Sequence, residues 1–228
     1  MIILACATEL ECRHALARSG RTPDGDTRLE YAGFDILACV TGVGPVAAAL
    51  RMGEILERHP QAAGVVSLGI CGAFDPRTPL GTVRVADAEA WPEYGVHRTD
   101  GSEEPFGFQM LPDLPLDPAN RLDLAPAPAA RAMGLHLPEG WSRGTSLTVA
   151  GVTGDPQRAA FLAERLDAAT ENMEGFSLAL AARRKGLPFL EARTVSNTVG
   201  VRDKAQWNFR LALTRLEAIL PTLTGVVP

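Results

Sequence analysis

"TGVGPVAAAL", residues Thr41–Leu50, joins an apolar run to an amphipathic one. Upstream, "TRLEYAGFDILACVT" reads as a β-hairpin turning at its Ala-Gly pair. Downstream, "GPVAAALRMGEILERH" has helical spacing, with Pro45 at a tolerated first-turn position. Gly42, Gly44 and Ala47 therefore fit G-x-G-x-x-G/A between a strand and a helix, the pattern of a dinucleotide-binding turn. Such a turn needs an acidic residue at the end of the next strand to hold a ribose. That strand ends "SLGICGAF" without one, and Glu57 falls inside the helix. Two readings stay open: a tight turn with close helix packing, or a loop lying near a sugar or an attacking molecule.

Working outward, the alternation continues. "MIILACA" reads as a buried first strand rather than a signal peptide, because Glu9 and Glu11 interrupt it early and no basic segment precedes it. "ELECRHALARS" follows with helical spacing. "AAGVVSLGI" and "TVRVADAEAW" are strands, and "TSLTVAGVT" is another. Then come a helix over Asp155–Leu166, the strand "AATENM", a helix over Gly175–Lys185 and the strand "PFLEARTVS". A last helix over Lys204–Leu220 is closed by Pro221. Residues 92–143 form a Pro-, Gly- and Asp-rich excursion with one helix near Ala119–Met133. The pattern predicts a single three-layer α/β domain over residues 1–228, with a central mixed, largely parallel sheet flanked by helices. Ligands of such sheets sit beyond the strand C-termini, which selects the loops near Thr8, Thr41, Gly69, Val152, Asn172 and Ser196.

Composition removes several classes of function. A net charge of −5 with no basic stripe argues against nucleic acid as a partner. No apolar run is long enough to span a bilayer, so no membrane role is expected. The four cysteines form no CxxC pair and read as buried thiols of a reducing cytoplasm. The four histidines lack ligand spacing, so neither a metal nor another cofactor is expected.

Chemistry concentrates at strand ends. "ATENMEGFSLAL" puts Asn172, Met173 and Glu174 at a strand-to-helix junction. A carboxylate there complements the helix N-terminus, and it can also accept bonds from two neighbouring ribose hydroxyls. Met173 would supply an adaptable apolar wall. Glu11, in the first turn of the first helix, either complements a dipole or deprotonates water; Glu9 is second choice. "TVSNTVG" raises the same ambiguity for Ser196 and Asn197: turn formers or ligand-binding groups.

"TELE", "TGVGPVAAAL", "SLGICGAF", "ENMEG" and "TVSNTVG", in this order, resemble the purine nucleosidase and phosphorylase superfamily. The combination of "ENMEG" with "SN..G.RD...W" narrows the resemblance to a hydrolytic branch serving a menaquinone pathway. The resemblance implies a nucleoside phosphorylase-like fold and N-glycosidic cleavage with water as attacker. It makes Glu11 the water-activating acid, Met173 and Glu174 the ribose-contacting pair, and Ser196 and Asn197 the counterpart of a Ser-Asp pair serving adenine. Asn cannot deliver a proton, but its amide can accept from a protonated ring nitrogen and donate to a 6-oxo group. Asn197 therefore points to a 6-oxopurine leaving group. Phosphate-using members carry a hydroxyl residue where Ile70 stands, beside Gly72, which favours water. Val152 and Thr153 are expected to contact the base through backbone, and Trp207 to line the pocket or pack in the core. Arg202 and Asp203 either pair on the surface or close over the base. Trp91, Tyr94, His97, Arg98, Phe106 and Phe108 are candidates for an apolar, cationic slot or for a subunit contact. The implied partners are a small nucleoside and water, and the implied assembly is a homo-oligomer. Alternatives are a purine nucleoside phosphorylase or an adenine-specific nucleosidase on the same scaffold, or a non-catalytic nucleoside-binding protein.

Overall fold

Five consecutive apolar residues make the first strand a central one. Ile2, Leu4 and Cys6 enter one hydrophobic cluster, while Ile3 and Ala5 enter another on the opposite face. That is the alternation of a strand covered on both sides. The computed structural model describes residues 1–97, 103–105, 110–111, 113–114, 116–117 and 120–226. Arg98, Phe106 and Phe108 lie outside the described residues.

The first half of the chain forms β1 (Ile2–Cys6), α1 (Glu9–Ala15), β2 (Thr27–Tyr31), β3 (Phe34–Val40), α2 (Pro45–Arg58), β4 (Gly64–Ala73) and β5 (Val83–Ala90). A small pair, β6 (Gly95–His97) and β7 (Glu103–Pro105), precedes β8 (Arg121–Asp123) and α3 (Pro126–Ala132). The remainder forms β9 (Ser142–Thr148), α4 (Pro156–Leu166), β10 (Ala168–Asn172), α5 (Gly175–Arg184), β11 (Phe189–Thr198), α6 (Phe209–Leu216) and α7 (Ile219–Leu223).

The main sheet runs β10-β9-β5-β11-β4-β1-β3-β2, with β8 added antiparallel to β5. The β1–β3, β1–β4, β4–β11, β5–β9 and β9–β10 pairs are parallel; β2–β3, β5–β11 and β4–β10 are antiparallel. The expected mixed sheet is thus present, with one addition. β10 also pairs with β4, so β4, β11, β5, β9 and β10 close into a ring. Closure brings the C-terminal ends of β4 and β10 together, Glu171 opposite Gly72 and Thr170 opposite Ala73. On one face α1, α3, α6 and α7 supply Cys12, Ala130, Leu216 and Ile219; on the other α2 and α5 supply Met52, Ile55, Phe176 and Ala179.

The hairpin turns where the Ala-Gly pair indicated. Ala32 and Gly33 have φ of 53° and 81°, as a two-residue turn between right-twisted strands requires. Two helix predictions need correction. The stretch expected to be helical up to Met133 opens as β8 and becomes α3 only at Pro126, because Arg121–Asp123 pair with β5. The last helix is not continuous. Trp207 is extended (φ −97°, ψ 141°), and Asn208 starts α6 afresh, its side chain accepting from the Leu211 N–H at 2.9 Å. Pro221 does not end a helix but lies in the first turn of α7, where its missing N–H costs nothing.

Candidate active site

The C-terminal ends of β1, β4, β10 and β11 open into a cleft of about 430 Å³, within the size range of small-molecule sites. Glu11, Ile70, Gly72, Val152, Thr153, Asn172, Met173, Glu174, Ser196, Asn197 and Trp207 all line it.

Glu11 is held by its own helix. Thr8 caps α1 by accepting from the Glu11 N–H, and Glu11 Oε2 accepts from the Thr8 N–H at 3.0 Å and its hydroxyl at 2.8 Å. This is a capping box, so the structural role suggested by the sequence is real. Glu11 Oε1 crosses to β4 and accepts from the Ile70 N–H at 3.0 Å. The carboxylate is 6% exposed and faces the cleft. Gly69 makes room for it: a Cβ there would sit 2.7 Å from Glu11 Oε1 and 2.9 Å from Arg193 Nη1.

Glu174 stands at the start of α5 and lines the same cleft. Its Oε1 accepts from the Gly44 N–H at 3.1 Å, and its Oε2 lies 3.4 Å from Arg193 Nη1. The glycine loop is a tight turn packed closely on its helix, and it reaches a carboxylate that lines the cleft. Gly42 approaches α2 so closely that a Cβ would lie 3.0 Å from that of Ala47, and Gly44 directs its N–H at the carboxylate. Burial pushes the Glu174 carboxyl up, against the Arg193 charge and the Gly44 N–H, which favour ionisation.

A β-bulge places Asn197. Along β11, Arg193 pairs with Gly69 and Val195 with Cys71, but the register shifts at Ser196 and Asn197 pairs with Gly72. Without the extra residue Asn197 would share the face of Arg193; with it, the amide turns to the Gly72 side. Ser196 Oγ lies 2.8 Å from Asn197 Oδ1 and 3.1 Å from the Cys71 carbonyl, and Asn197 Nδ2 donates to the Thr198 carbonyl at 3.2 Å.

Asn172 lines the cleft, but its side chain is committed elsewhere. Its Oδ1 accepts from the N–H groups of Glu174 (2.8 Å) and Gly175 (2.7 Å), and its Nδ2 donates to Glu89 at 2.6 Å and Ser146 at 2.8 Å. It thereby orients the start of α5. Trp207 forms the mouth: its Nε1 donates to the Val201 carbonyl at 2.8 Å, and the Arg202 guanidinium lies 5.2 Å from the ring centroid. Arg202 lines the cleft, whereas Asp203 caps the turn that follows it. Trp91 and Tyr94 stack on each other, 5.8 Å apart, with Trp91 also against Phe176, so this pair packs with the core rather than forming the cleft.

Three charged residues were missed. Arg193 is 4% exposed; its Nε donates to Glu191 at 2.9 Å while Nη1 reaches Glu174 and the Ile70 carbonyl. Burial works against its charge, but the carboxylates of Glu191, Glu174 and Glu11 outweigh that and hold it protonated. The signal was present: "LEAR" puts an acid and a base two residues apart on one face of a strand buried on both sides, where charges survive only in pairs. Glu171 also lines the cleft, and Glu89 underlies it, 0% exposed and pushed well up by burial and the neighbouring Glu191. Neither gives a local signal, because each is defined by partners on distant strands.

Residues 2–224 match the phosphorylase superfamily, and the chain belongs to that family. Within it, the chain is 38% identical over 240 residues to the futalosine hydrolase of Streptomyces coelicolor, covering 99% of this chain and 96% of that one. It is 32% identical over 196 residues to the futalosine hydrolase of Thermus thermophilus, covering 82% and 80%. In fold it is similar to a putative 5'-methylthioadenosine/S-adenosylhomocysteine nucleosidase from Borrelia burgdorferi bound to adenine, with a TM-score of 0.74, 16% identity and full coverage of both chains.

Proposed function

We propose that this chain, as one nucleosidase domain, hydrolyses the N-glycosidic bond of futalosine and releases hypoxanthine in menaquinone biosynthesis. One observation carries this reading: the Glu11 carboxylate and the Asn197 amide line one cleft, Glu11 beside Gly69 and Asn197 beside Gly72 in the C-terminal half of β4. Three residues of extended chain span roughly 10 Å, enough for an attacking water, the anomeric carbon and the imidazole edge of a purine. Glu11 takes the proton of the water. Glu174 accepts from the ribose hydroxyls above the Met173 wall. As the bond breaks, the sugar becomes cation-like and the base anionic. The departing base takes a proton on its ring nitrogen from solvent, and Asn197 accepts from that N–H and donates to the 6-oxo group.

Water rather than phosphate suits this lining. Glu11, Glu171 and Glu174 line the cleft, and Arg202 is the one cationic side chain doing so among the described residues. Ile70 contributes an alkyl group where an oxyanion would need a hydroxyl. Leu10, Val43, Val46 and Leu50 are exposed near the cleft mouth and along α2, which supports a homo-oligomer. The four buried free cysteines suit a reducing cytoplasm, and no helix among the described residues is long and apolar enough to cross a membrane.

The test is to incubate the protein with futalosine and with inosine and to follow free hypoxanthine. Release at a rate indifferent to added phosphate, without a sugar-1-phosphate product, is expected. No free base, or a rate that requires phosphate, overturns the reading.

A further inference from the structure

Glu89 faces the interior of the strand ring because β5 is irregular. Arg84 pairs with Arg193 and shares its face, so strict alternation along β5 would send Glu89 to the other. The register of β5 on β9 slips between Ala86 and Ala88, and the extra residue turns Glu89 toward Glu191. Glu89 is 0% and Glu191 1% exposed. Gly175, the first residue of α5, lets the two meet: a Cβ there would overlap both Glu191 Oε2 and Glu89 Oε1. The two oxygens are therefore close neighbours above one Cα.

Their hydrogen bonds leave one gap. Glu191 Oε1 accepts from Arg193 Nε at 2.9 Å, but Glu191 Oε2 has no hydrogen-bond partner. Glu89 Oε1 accepts from Asn172 Nδ2 at 2.6 Å, and Glu89 Oε2 from the Thr148 hydroxyl at 2.7 Å. The charges facing Glu89 are Glu191 and Arg193 of β11; β9 and β10 present the Ser146 and Thr148 hydroxyls and the Asn172 amide. Arg193 is already shared, since Glu174 Oε2 lies 3.4 Å from its Nη1. Two carboxylates this close and this buried are costly to ionise together, and an oxygen without a donor adds to the cost. A proton on Glu89 Oε1 removes both penalties, because it cancels one charge and points a donor at Glu191 Oε2.

We propose that Glu89 keeps its proton and donates it to Glu191 Oε2, so that the pair carries one charge and acts as a clamp beneath the cleft. Through Glu191 the clamp holds Arg193, whose Nη1 reaches Glu174 and the Ile70 carbonyl. Through Asn172, whose Oδ1 accepts from the Glu174 and Gly175 N–H groups, it holds the start of α5. Glu89 does not line the cleft and is a positioning residue. The proton belongs to the free protein; only its effect on turnover rests on the nucleosidase reading.

The first test is nuclear magnetic resonance of protein labelled with ¹³C at the glutamate δ-carbons. At neutral pH one signal should stand at the position of a protonated carboxyl and be lost in Glu89→Gln. Glu191→Gln removes the neighbouring charge and should let that signal titrate at lower pH. The second test is hypoxanthine release from futalosine. Glu89→Leu leaves Glu191 Oε2 without a donor, so kcat should fall at least about tenfold with KM little changed. Glu89→Gln, whose amide can donate to Glu191 while Asn172 keeps Ser146 and Glu191 as acceptors, should restore most of that loss. A role in packing alone would not separate Leu from Gln. No protonated signal lost in Glu89→Gln, a titration indifferent to Glu191→Gln, or a Glu89→Gln variant as slow as Glu89→Leu overturns the proposal. Should Glu89→Leu fail to fold, the resonance titrations decide. A wild type that shows the shared proton yet cleaves no futalosine keeps the clamp and loses the nucleosidase reading.

Discussion

An amide at position 197 accepts one hydrogen bond and donates another, but it has no proton to transfer. Changing Asn197 to Asp restores an acid beside the five-membered ring and sets a carboxylate against a 6-oxo oxygen. The expected result is a shift of preference toward adenine nucleosides by one to two decades, at roughly 1–3 kcal/mol for a mismatched buried group. Equal relative rates on inosine-type and adenosine-type substrates in both proteins would refute it. Glu11 makes a different case, because its oxygens already accept from Thr8 and Ile70. Glu11→Gln keeps the shape and removes the base, so kcat should drop roughly 10²- to 10⁴-fold with substrate binding largely retained. Near-normal kcat would leave Glu11 with its capping role alone.

At the scale of elements, the start of α1 couples stability to the site. The capping box that begins the helix also aims Glu11 across to β4. Thr8→Val removes the hydroxyl that both caps the Glu11 N–H and steadies its Oε2. A loss of about 1 kcal/mol is expected, seen as a melting temperature lower by about 2–4 °C. A fall in kcat should accompany it; a lower melting temperature with unchanged turnover would show that the cap serves the helix only. The bulge at Ser196 acts similarly on β11, setting the face on which one amide emerges from an otherwise regular strand.

For the whole molecule, the ring of strands and the start of α5 bury several carboxyls, Glu89 completely. Glu89, Glu171 and Glu174 are all raised, chiefly by burial, so the folded chain holds protons that the unfolded chain releases. Their stabilising contribution is complete below the ordinary carboxylate range and is lost as pH rises through their raised folded values. Glu89→Gln cannot ionise and should flatten that decline, gaining about 2–4 °C in melting temperature for each kcal/mol recovered at the alkaline end of the window. Identical pH slopes in variant and wild type would exclude Glu89 as their source. The exposed apolar residues of α2 give a second test. On the proposed homo-oligomer, Val46→Asp with Leu50→Glu should give smaller species in sedimentation than the wild type; equal sedimentation coefficients would remove α2 from the proposed interface.

Much of this architecture was legible residue by residue. Apolar runs, the Ala-Gly turn, Asp155 before α4 and the strand-end positions of Glu11, Glu174 and Asn197 all rest on interactions within a few residues, which a linear text preserves. The helix breaks at Trp207 and at β8 were not legible, because strand pairing and a cap overrode a weak helical period. Ring closure through β4 and β10, the Arg193 bridge to Glu174 and the placement of Glu171 and Asn197 on either side of Gly72 were decided only in three dimensions. Each joins strands far apart in the chain, and one inserted residue at a bulge changes the face on which a side chain emerges. Local periodicity carries no record of either.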